Sequence, residues 1–407
     1  MTNRHIVFLQ GMPSPFFSEI ANKLTELGYK TTGINLCAGD WIFWNGANTI
    51  NYRGRYSCWP SFIASYFDES QVTDIVLLGE QRNYHKQAVE IAKTRGIRVI
   101  VTDFGYLRPD WITLERDGMS GNSKFPKLPE KIAELASLVP KADFNQKYYD
   151  SDYNMALGDL IYSFSNLLLF WLYPYYIRSD RRPHPIIYFP AIGIRLLKAK
   201  ANKSKAYLRM KALLKEKPRY FLFPLQLEHD FQIVAYSPFD GMESAIKMVF
   251  KSFSENADKA NRLVIKLHPW DPGLKNWEKK IFQLAKEFSL CERIDYFDGG
   301  SLDEMIKGSM GMITVNSTSG IRALQLGIPV KTLGDAIYNI EGITYQNKLD
   351  KFWTDRFQPD AKLVNDLLNA MAGTIQIRGV FFSEEGLNAA VSQAVDRISN
   401  VTIGTPI

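Results

Sequence analysis

Three short polar stretches in the C-terminal half carry residue types that hold and move charged groups: Gln226 with Asp230, His268-Pro269, and Asn316-Ser317-Thr318. Each follows a run that reads as a buried strand, at 220–225, 262–267 and 311–315. In open α/β sheets ligands bind beyond the carboxyl ends of the strands, which makes polar residues at those ends the ones to weigh. Asn316, Ser317, Thr318, Ser319 and Gly320 lead into a helix, where hydroxyls and backbone N–H groups converge in a way that suits phosphate. Taken singly, the segment also reads as a plain helix N-cap, and His268 as a satisfied loop histidine. Recurrence at three strand ends is what points to an anion site.

Absences narrow the chemistry. No GxGxxG follows a strand, and there is no GxxxxGK[ST], HExxH or CxxC, which removes support from dinucleotide, P-loop and zinc readings. Asp150-Ser-Asp152 has the DxD spacing of metal-dependent sugar transferases, yet it follows Tyr148-Tyr149 in a polar stretch and reads as a helix N-terminus. Cys37, Cys58 and Cys291 lie far apart and read as reduced thiols. No metal and no cofactor are expected.

The elements that must position these residues alternate regularly. Strands are expected at 5–10, 30–36, 73–79 and 97–102, with helices at 15–27 and 84–95; Gly28 suits the first helix's end. Unbroken Val/Ile/Leu strands in strand–helix order predict a parallel, doubly wound sheet. Residues 120–160 read as polar and irregular. The alternation resumes with strands at 220–225, 262–267, 293–297, 311–315 and 329–333 and helices at 244–256, 274–288, 302–306 and 320–326, and a last helix spans 383–399. The fold class expected is α/β, two Rossmann-like domains with parallel sheets facing a central cleft. The divisions expected are 1–150, an apolar and basic segment at 151–219, 220–380, and a C-terminal helix and tail at 381–407.

At 407 residues, 46% hydrophobic and 23% charged, the chain has the makings of two globular domains. Its net charge of +6 is uneven. Residues 178–219 hold thirteen Lys/Arg against two acids, a local +11, which leaves −5 for the rest. Just before them, residues 160–177 are rich in Leu, Phe, Trp and Tyr but contain Ser163, Ser165, Asn166 and Pro174, too broken to span a bilayer. An aromatic surface with Trp171, followed by Arg178, Arg181 and Arg182 and then Lys198, Lys200, Lys203 and Lys205, suits a membrane interface. It suits a buried interdomain helix followed by a solvated basic one equally well. Residues 1–5 lead straight into a strand with no cleavage site behind it, so a cytoplasmic location is expected. Nucleic acid is not an expected partner.

Several longer motifs occur in a fixed order: Leu9-Gln-Gly11, Ala38-Gly-Asp-Trp41, Tyr84-His85, the run Gly105 to Thr113, Gln226-x-x-x-Asp230, Ile265-Lys-Leu-His-Pro269, Val315-Asn-Ser-Thr318, Ala336-Ile-Tyr-x-Ile-x-Gly342 and Thr344-Tyr-Gln346. In these the chain resembles, over nearly its whole length, the capsule-synthesis β-Kdo transferases of Gram-negative bacteria, of the type named KpsS and formerly labelled capsule polysaccharide export proteins. The resemblance implies a GT-B-like fold and retaining transfer of Kdo from CMP-β-Kdo to a phosphatidylglycerol-type or lysophosphatidylglycerol lipid, the start of a poly-Kdo linker. It implies Asp230 as nucleophile, and Gln226, Lys266, His268, Pro269, Asn316, Ser317 and Thr318 around the donor. Gly11, Tyr84, His85 and Arg108 are the implied acceptor contacts. Where relatives commonly carry two acids before a glycine, this chain reads Asp103-Phe104-Gly105, which leaves Asp103 to serve the acceptor or to act as a strand-end cap; Ser14 stands where a glycine is usual. The implied location is peripheral, on the inner face of the inner membrane, with other capsule synthesis and export proteins as candidate partners. Two rivals remain: a GT-B transferase for another nucleotide sugar, and a non-catalytic capsule export component.

Overall fold

The computed structural model describes residues 4–179 and 181–406. The first residues of the leader reading (1–3), one of the two acids counted in the basic segment (Asp180) and residue 407 lie outside the described residues.

The chain opens with β1 (His5–Phe8), α1 (Phe16–Glu26), β2 (Lys30–Asn35), α2 (Ala38–Phe43), β3 (Thr49–Asn51), α3 (Trp59–Glu69), β4 (Asp74–Leu78), α4 (Asn83–Thr94), β5 (Arg98–Phe104) and β6 (Trp111–Arg116). Every residue of β1 and β4 is buried, as expected of parallel strands covered on both faces. Helix α1 buries Phe16, Phe17, Ile20, Ala21 and Leu24 at helical spacing. Its end is marked by Gly28 at φ +86°, a left-handed geometry that a glycine adopts without strain. Beside a parallel core of β1 to β5, strand β6 runs antiparallel to β5. The six residues between them are too few for the crossover a parallel partner needs.

Residues expected to be irregular instead form α5 (Pro129–Leu138) and the first half of α6 (Asp152–Leu168). Ser151 caps α6 by accepting the Asn154 N–H at 3.1 Å. After a short turn at Phe170–Leu172 comes the long α7 (Pro185–Glu216). No helix among the described residues is long and apolar enough to cross a membrane.

The second series is β7 (Tyr220–Pro224), α8 (Phe231–Tyr236), α9 (Met242–Asn256), β8 (Arg262–Lys266), α10 (Trp277–Glu287), β9 (Ile294–Phe297), α11 (Leu302–Gly308), β10 (Gly311–Thr314), α12 (Ser319–Gln325) and β11 (Val330–Thr332). It makes a five-stranded, all-parallel sheet in the order β11-β10-β7-β8-β9. After α13 (Leu349–Phe352) and α14 (Ala361–Thr374), the chain adds β12 (Gln376–Arg378) and α15 (Glu384–Ser399). Strand β12 pairs with β6, completing a seven-stranded sheet in the order β12-β6-β5-β4-β1-β2-β3.

Two compact α/β units result, neither a single stretch of sequence: residues 1–125, 135–181 and 368–407 form the first, and 126–134 with 182–367 the second. This differs from boundaries drawn at 150, 219 and 380. Residues 381–407 are not an appendage, because Phe381, Val391, Ala394 and Ile398 share one core with Ile6, Phe8, Phe16 and Ile20.

Candidate functional site

In the second unit, β7 is followed on one side by β8 and β9 and on the other by β10 and β11. The strand order reverses between β7 and β10, the place where such sheets open a crevice at their carboxyl ends. Gln226 and Asn316 meet across this point. The Gln226 Nε2 donates to Asn316 Oδ1 at 3.0 Å, and the Asn316 backbone N–H donates to Gln226 Oε1 at 3.2 Å. Asn316 Nδ2 also donates to the carbonyls of Gln232 and Tyr236 on α8, at 2.8 and 3.1 Å. Asp230 is the N-cap of that helix: its Oδ1 accepts the Gln232 N–H at 2.9 Å, and the residue is half-buried. One asparagine thus ties the β10 end to the helix that Asp230 starts.

The β8 end lies alongside, since Pro224 is in register with Lys266 and the Leu225 N–H donates to the Lys266 carbonyl at 2.8 Å. His268 Nδ1 accepts the Trp270 N–H at 3.1 Å. Asp271 holds the loop's far side, accepting from Gly273 N at 2.8 Å and Trp277 Nε1 at 3.1 Å; burial raises its pKa. Lys266 is buried, and desolvation lowers its pKa. Ser317 Oγ accepts the Ser319 N–H at 3.2 Å, and the Tyr338 hydroxyl donates to the Ser317 carbonyl. A Cβ on Gly320 would meet that hydroxyl at 2.3 Å, which explains a glycine at the start of α12. The three polar stretches singled out in the sequence therefore occupy the carboxyl ends of three adjacent strands. Pro269 is exposed, and Thr318 caps α12 without a side-chain bond.

The first unit has its own reversal, between β1 and β4. The implied acceptor contacts Gly11, Tyr84, His85 and Arg108 belong to this unit. Tyr84 and His85 are both buried. Tyr84 packs on Trp59 and Tyr176, and its hydroxyl accepts the Ile177 N–H at 3.3 Å. His85 donates from Nδ1 to the carbonyls of Leu78 and Gly79, at 3.0 and 2.9 Å. Burial pushes its pKa down to about 3, which keeps it neutral. Gly11 admits the ring of Phe17, 2.7 Å from where a Cβ would stand. Asp103 turns one oxygen to the Phe104 N–H at 2.7 Å. Phe104 itself packs edge-on against Phe381 with ring centroids 5.3 Å apart, and Arg108 lies over its other side at 5.0 Å.

A buried cluster that the sequence reading did not single out sits at the ends of β1 and β2. Gln10 Nε2 donates to the Asp40 carboxylate at 3.0 and 3.2 Å, the Leu36 N–H donates to it at 3.0 Å, and the Tyr162 hydroxyl at 3.1 Å. Burial raises the Asp40 pKa against these bonds. The only sequence signal was the presence of Gln10 and Asp40 in two of the ordered motifs. Tyr162, from α6, had none.

That contact also settles where residues 160–177 go. They run across the strand ends of the first unit: Gly39 N–H donates to Asn166 at 2.8 Å and the Tyr173 hydroxyl to Asn51 at 2.7 Å, and just beyond them Asn83 N–H donates to Ser179 at 3.0 Å. Their other side is open, with Trp171 62% exposed and Phe170 65%. Arg178 and Arg181 are exposed, as are Lys198, Lys200, Lys203 and Lys205 on α7, whereas Arg182 lies over the Tyr188 ring at 5.8 Å.

Comparison with known proteins adds the family. The capsule polysaccharide export protein KpsS of Escherichia coli is 30% identical over 390 residues, which cover 94% of this chain and 98% of that protein. The capsule polysaccharide modification protein LipB of Neisseria meningitidis is 30% identical over 390 residues, covering 93% and 92%. Among solved structures, the β-Kdo 2,7 transferase KpsC of Thermosulfurimonas dismutans aligns over 98% of this chain and 99% of its own, with a TM-score of 0.48 and 13% identity. The family model for capsule polysaccharide biosynthesis proteins matches residues 73–382, a span that takes in the ends of β4, β5, β7, β8 and β10. With relatives matched end to end as well, this chain belongs to the capsule polysaccharide biosynthesis protein family.

Proposed function

We propose that the protein is a retaining β-Kdo glycosyltransferase of GT-B-like architecture. It moves Kdo from CMP-β-Kdo to a phosphatidylglycerol or lysophosphatidylglycerol acceptor at the inner face of the inner membrane. The observation that carries the reading is the strand-end constellation of the second unit, where Gln226 and Asn316 bridge the sheet's reversal and fix the helix capped by Asp230, beside the His268 loop.

In the first step the Asp230 carboxylate attacks the anomeric carbon, a bond to that carboxylate forms, and the bond to the CMP phosphate breaks with its electron pair leaving on phosphate. Lys266, His268, Ser317 and Thr318 are the donors we assign to stabilise that charge, which is usually the largest electrostatic contribution. In the second step an acceptor hydroxyl attacks the same carbon from the vacated side, its proton passes to a base, and the Asp230 carboxylate is released. Two inversions return the original configuration. Asp103, the last residue but one of β5, is the base we assign, on the family resemblance at the Asp103-Phe104-Gly105 turn. The lysines and arginines from Arg178 onward, with Trp171, would meet anionic head groups.

The test is incubation with CTP, Kdo and a CMP-Kdo-forming enzyme, together with a fluorescent phosphatidylglycerol, followed by product mass. A mass gain of one Kdo supports the reading, and no gain with Kdo but transfer from another nucleotide sugar replaces it. A protein that sustains capsule assembly in cells with Asp230→Asn in place is no transferase.

A further inference from the structure

Helix α7 touches both loops assigned to the donor. Near its start, Tyr188 packs edge-on against His229 with ring centroids 5.9 Å apart, and His229 is the residue before Asp230. Two turns later, Arg195 is paired with Asp298 at the end of β9, and its side chain lies 3.2 Å from the Cβ position of Gly273, in the loop that follows His268. Farther along, Ala206 packs at Gly299, Met210 at Gly300, and Arg209 lies over Phe297 at 5.1 Å. The inward stripe is thus Tyr188, Arg195, Ala206, Met210 and Leu213.

The opposite side of the same helix is also apolar. Ile186, Leu197 and Leu208 are eleven residues apart, three helical turns, and fall on one line. They are 60%, 71% and 66% exposed. On either side of this ridge stand Lys200 with Lys203 and Lys198 with Lys205, all exposed. One face is consumed by the second unit, while the other pairs an apolar ridge with cationic flanks. That pattern fits an anionic bilayer, into which the ridge dips while lysine stems lie along it and their heads meet phosphates.

We propose that α7 is a brace between an anionic bilayer and the donor loops, with Tyr188 and Arg195 as positioning residues that hold the Asp230 and His268 loops when the outer ridge is seated. The inference rests on the donor-site reading above. Because coupling between two binding events is reciprocal, seating the helix must tighten nucleotide binding, and nucleotide must tighten seating.

The experiment titrates CMP into the full chain with phosphatidylglycerol vesicles, with phosphatidylcholine vesicles, and without lipid. Phosphatidylglycerol vesicles should lower the Kd for CMP about five-fold, the lower end of ordinary couplings, and phosphatidylcholine should not. Tyr188→Ala and Arg195→Ala should still bind phosphatidylglycerol vesicles, since the ridge is intact, yet lose the gain. Tyr188→Phe and Arg195→Lys should restore it, which a merely misfolded pair would not allow. A wild-type protein that binds CMP with one Kd in all three conditions overturns the brace, as does a protein that ignores phosphatidylglycerol vesicles. A protein that binds no CMP under any condition sinks the donor-site reading instead, and the brace with it.

Discussion

Asp230 has two duties that a single substitution separates. Asparagine keeps an oxygen for the Gln232 N–H, so Asp230→Asn should leave the α8 cap and the melting temperature nearly unchanged while transfer falls roughly 1,000-fold or more; a mass-resolved transfer assay alongside a thermal melt checks both. A second carboxyl speaks through stability. Glu115 is fully buried, accepts from Tyr106 at 2.6 Å and from Ser123, and burial pushes its pKa up to about 8. A raised carboxyl pKa supplies stability at low pH that is lost as pH climbs from the unfolded value through the folded one. Glu115→Gln can keep both partners, accepting from one and donating to the other. The variant's melting temperature relative to wild type should therefore rise steadily between pH 5 and pH 8. A difference that stays flat across that window would mean Glu115 is ionised in the fold. Phe104 belongs at this scale too. Its ring is spent on the core against Phe381, which leaves Asp103 as the acid of the Asp103-Phe104-Gly105 turn.

Among the elements, those read correctly from sequence were the ones whose own residues dictate them. Strands β4 and β8 hold unbroken apolar runs, Ile75 to Leu78 and Leu263 to Ile265, and helices such as α1 repeat their buried residues every three or four positions. Strands β6 and β12 escaped because Trp111–Arg116 and Gln376–Arg378 carry Glu, Arg and Gln. Part of their polar bonding comes from distant partners, as when Gln376 accepts the Tyr106 N–H at 2.9 Å and donates to Thr113 at 3.0 Å. The same holds for the site: strand-end polar residues were legible because position follows from the strand, whereas the Asp40 cluster needs Tyr162 from another element. Helices α2 and α6 meet at Gly39, where a Cβ would stand 2.5 Å from the Tyr162 ring. Gly39→Ala should cost about 1–3 kcal/mol and speed proteolysis in the loop after α6, read by a melt and a timed digest. On α7, reversing Lys198, Lys200, Lys203 and Lys205 to Glu should weaken binding to phosphatidylglycerol vesicles at least about ten-fold, at about 1 kcal/mol per basic residue. Added salt should reproduce part of that loss in wild type; co-sedimentation measures both.

At the scale of the whole chain, the two units are interleaved in sequence, and no local pattern announces it. The helix at 383–399 was legible; that its apolar side belongs with β1 was not, because Val391, Ala394 and Ile398 find Ile6 and Phe16 nearly four hundred positions away. Removing residues 381–407 should therefore unfold the first unit rather than trim a tail. Each large apolar side chain lost from the core withdraws about 1.5–3 kcal/mol, against a total stability of about 5–15 kcal/mol. Soluble expression and amide exchange in β1 and β4 report the outcome. The shared core also sets an order of events during synthesis. The second unit is complete once residue 367 has left the ribosome, but β1 must wait for the last helix to be translated, exposing Ile6 and Phe8 in the meantime. The part of the molecule made first is the last to settle, and a chaperone that shields its opening strand would have the most to protect.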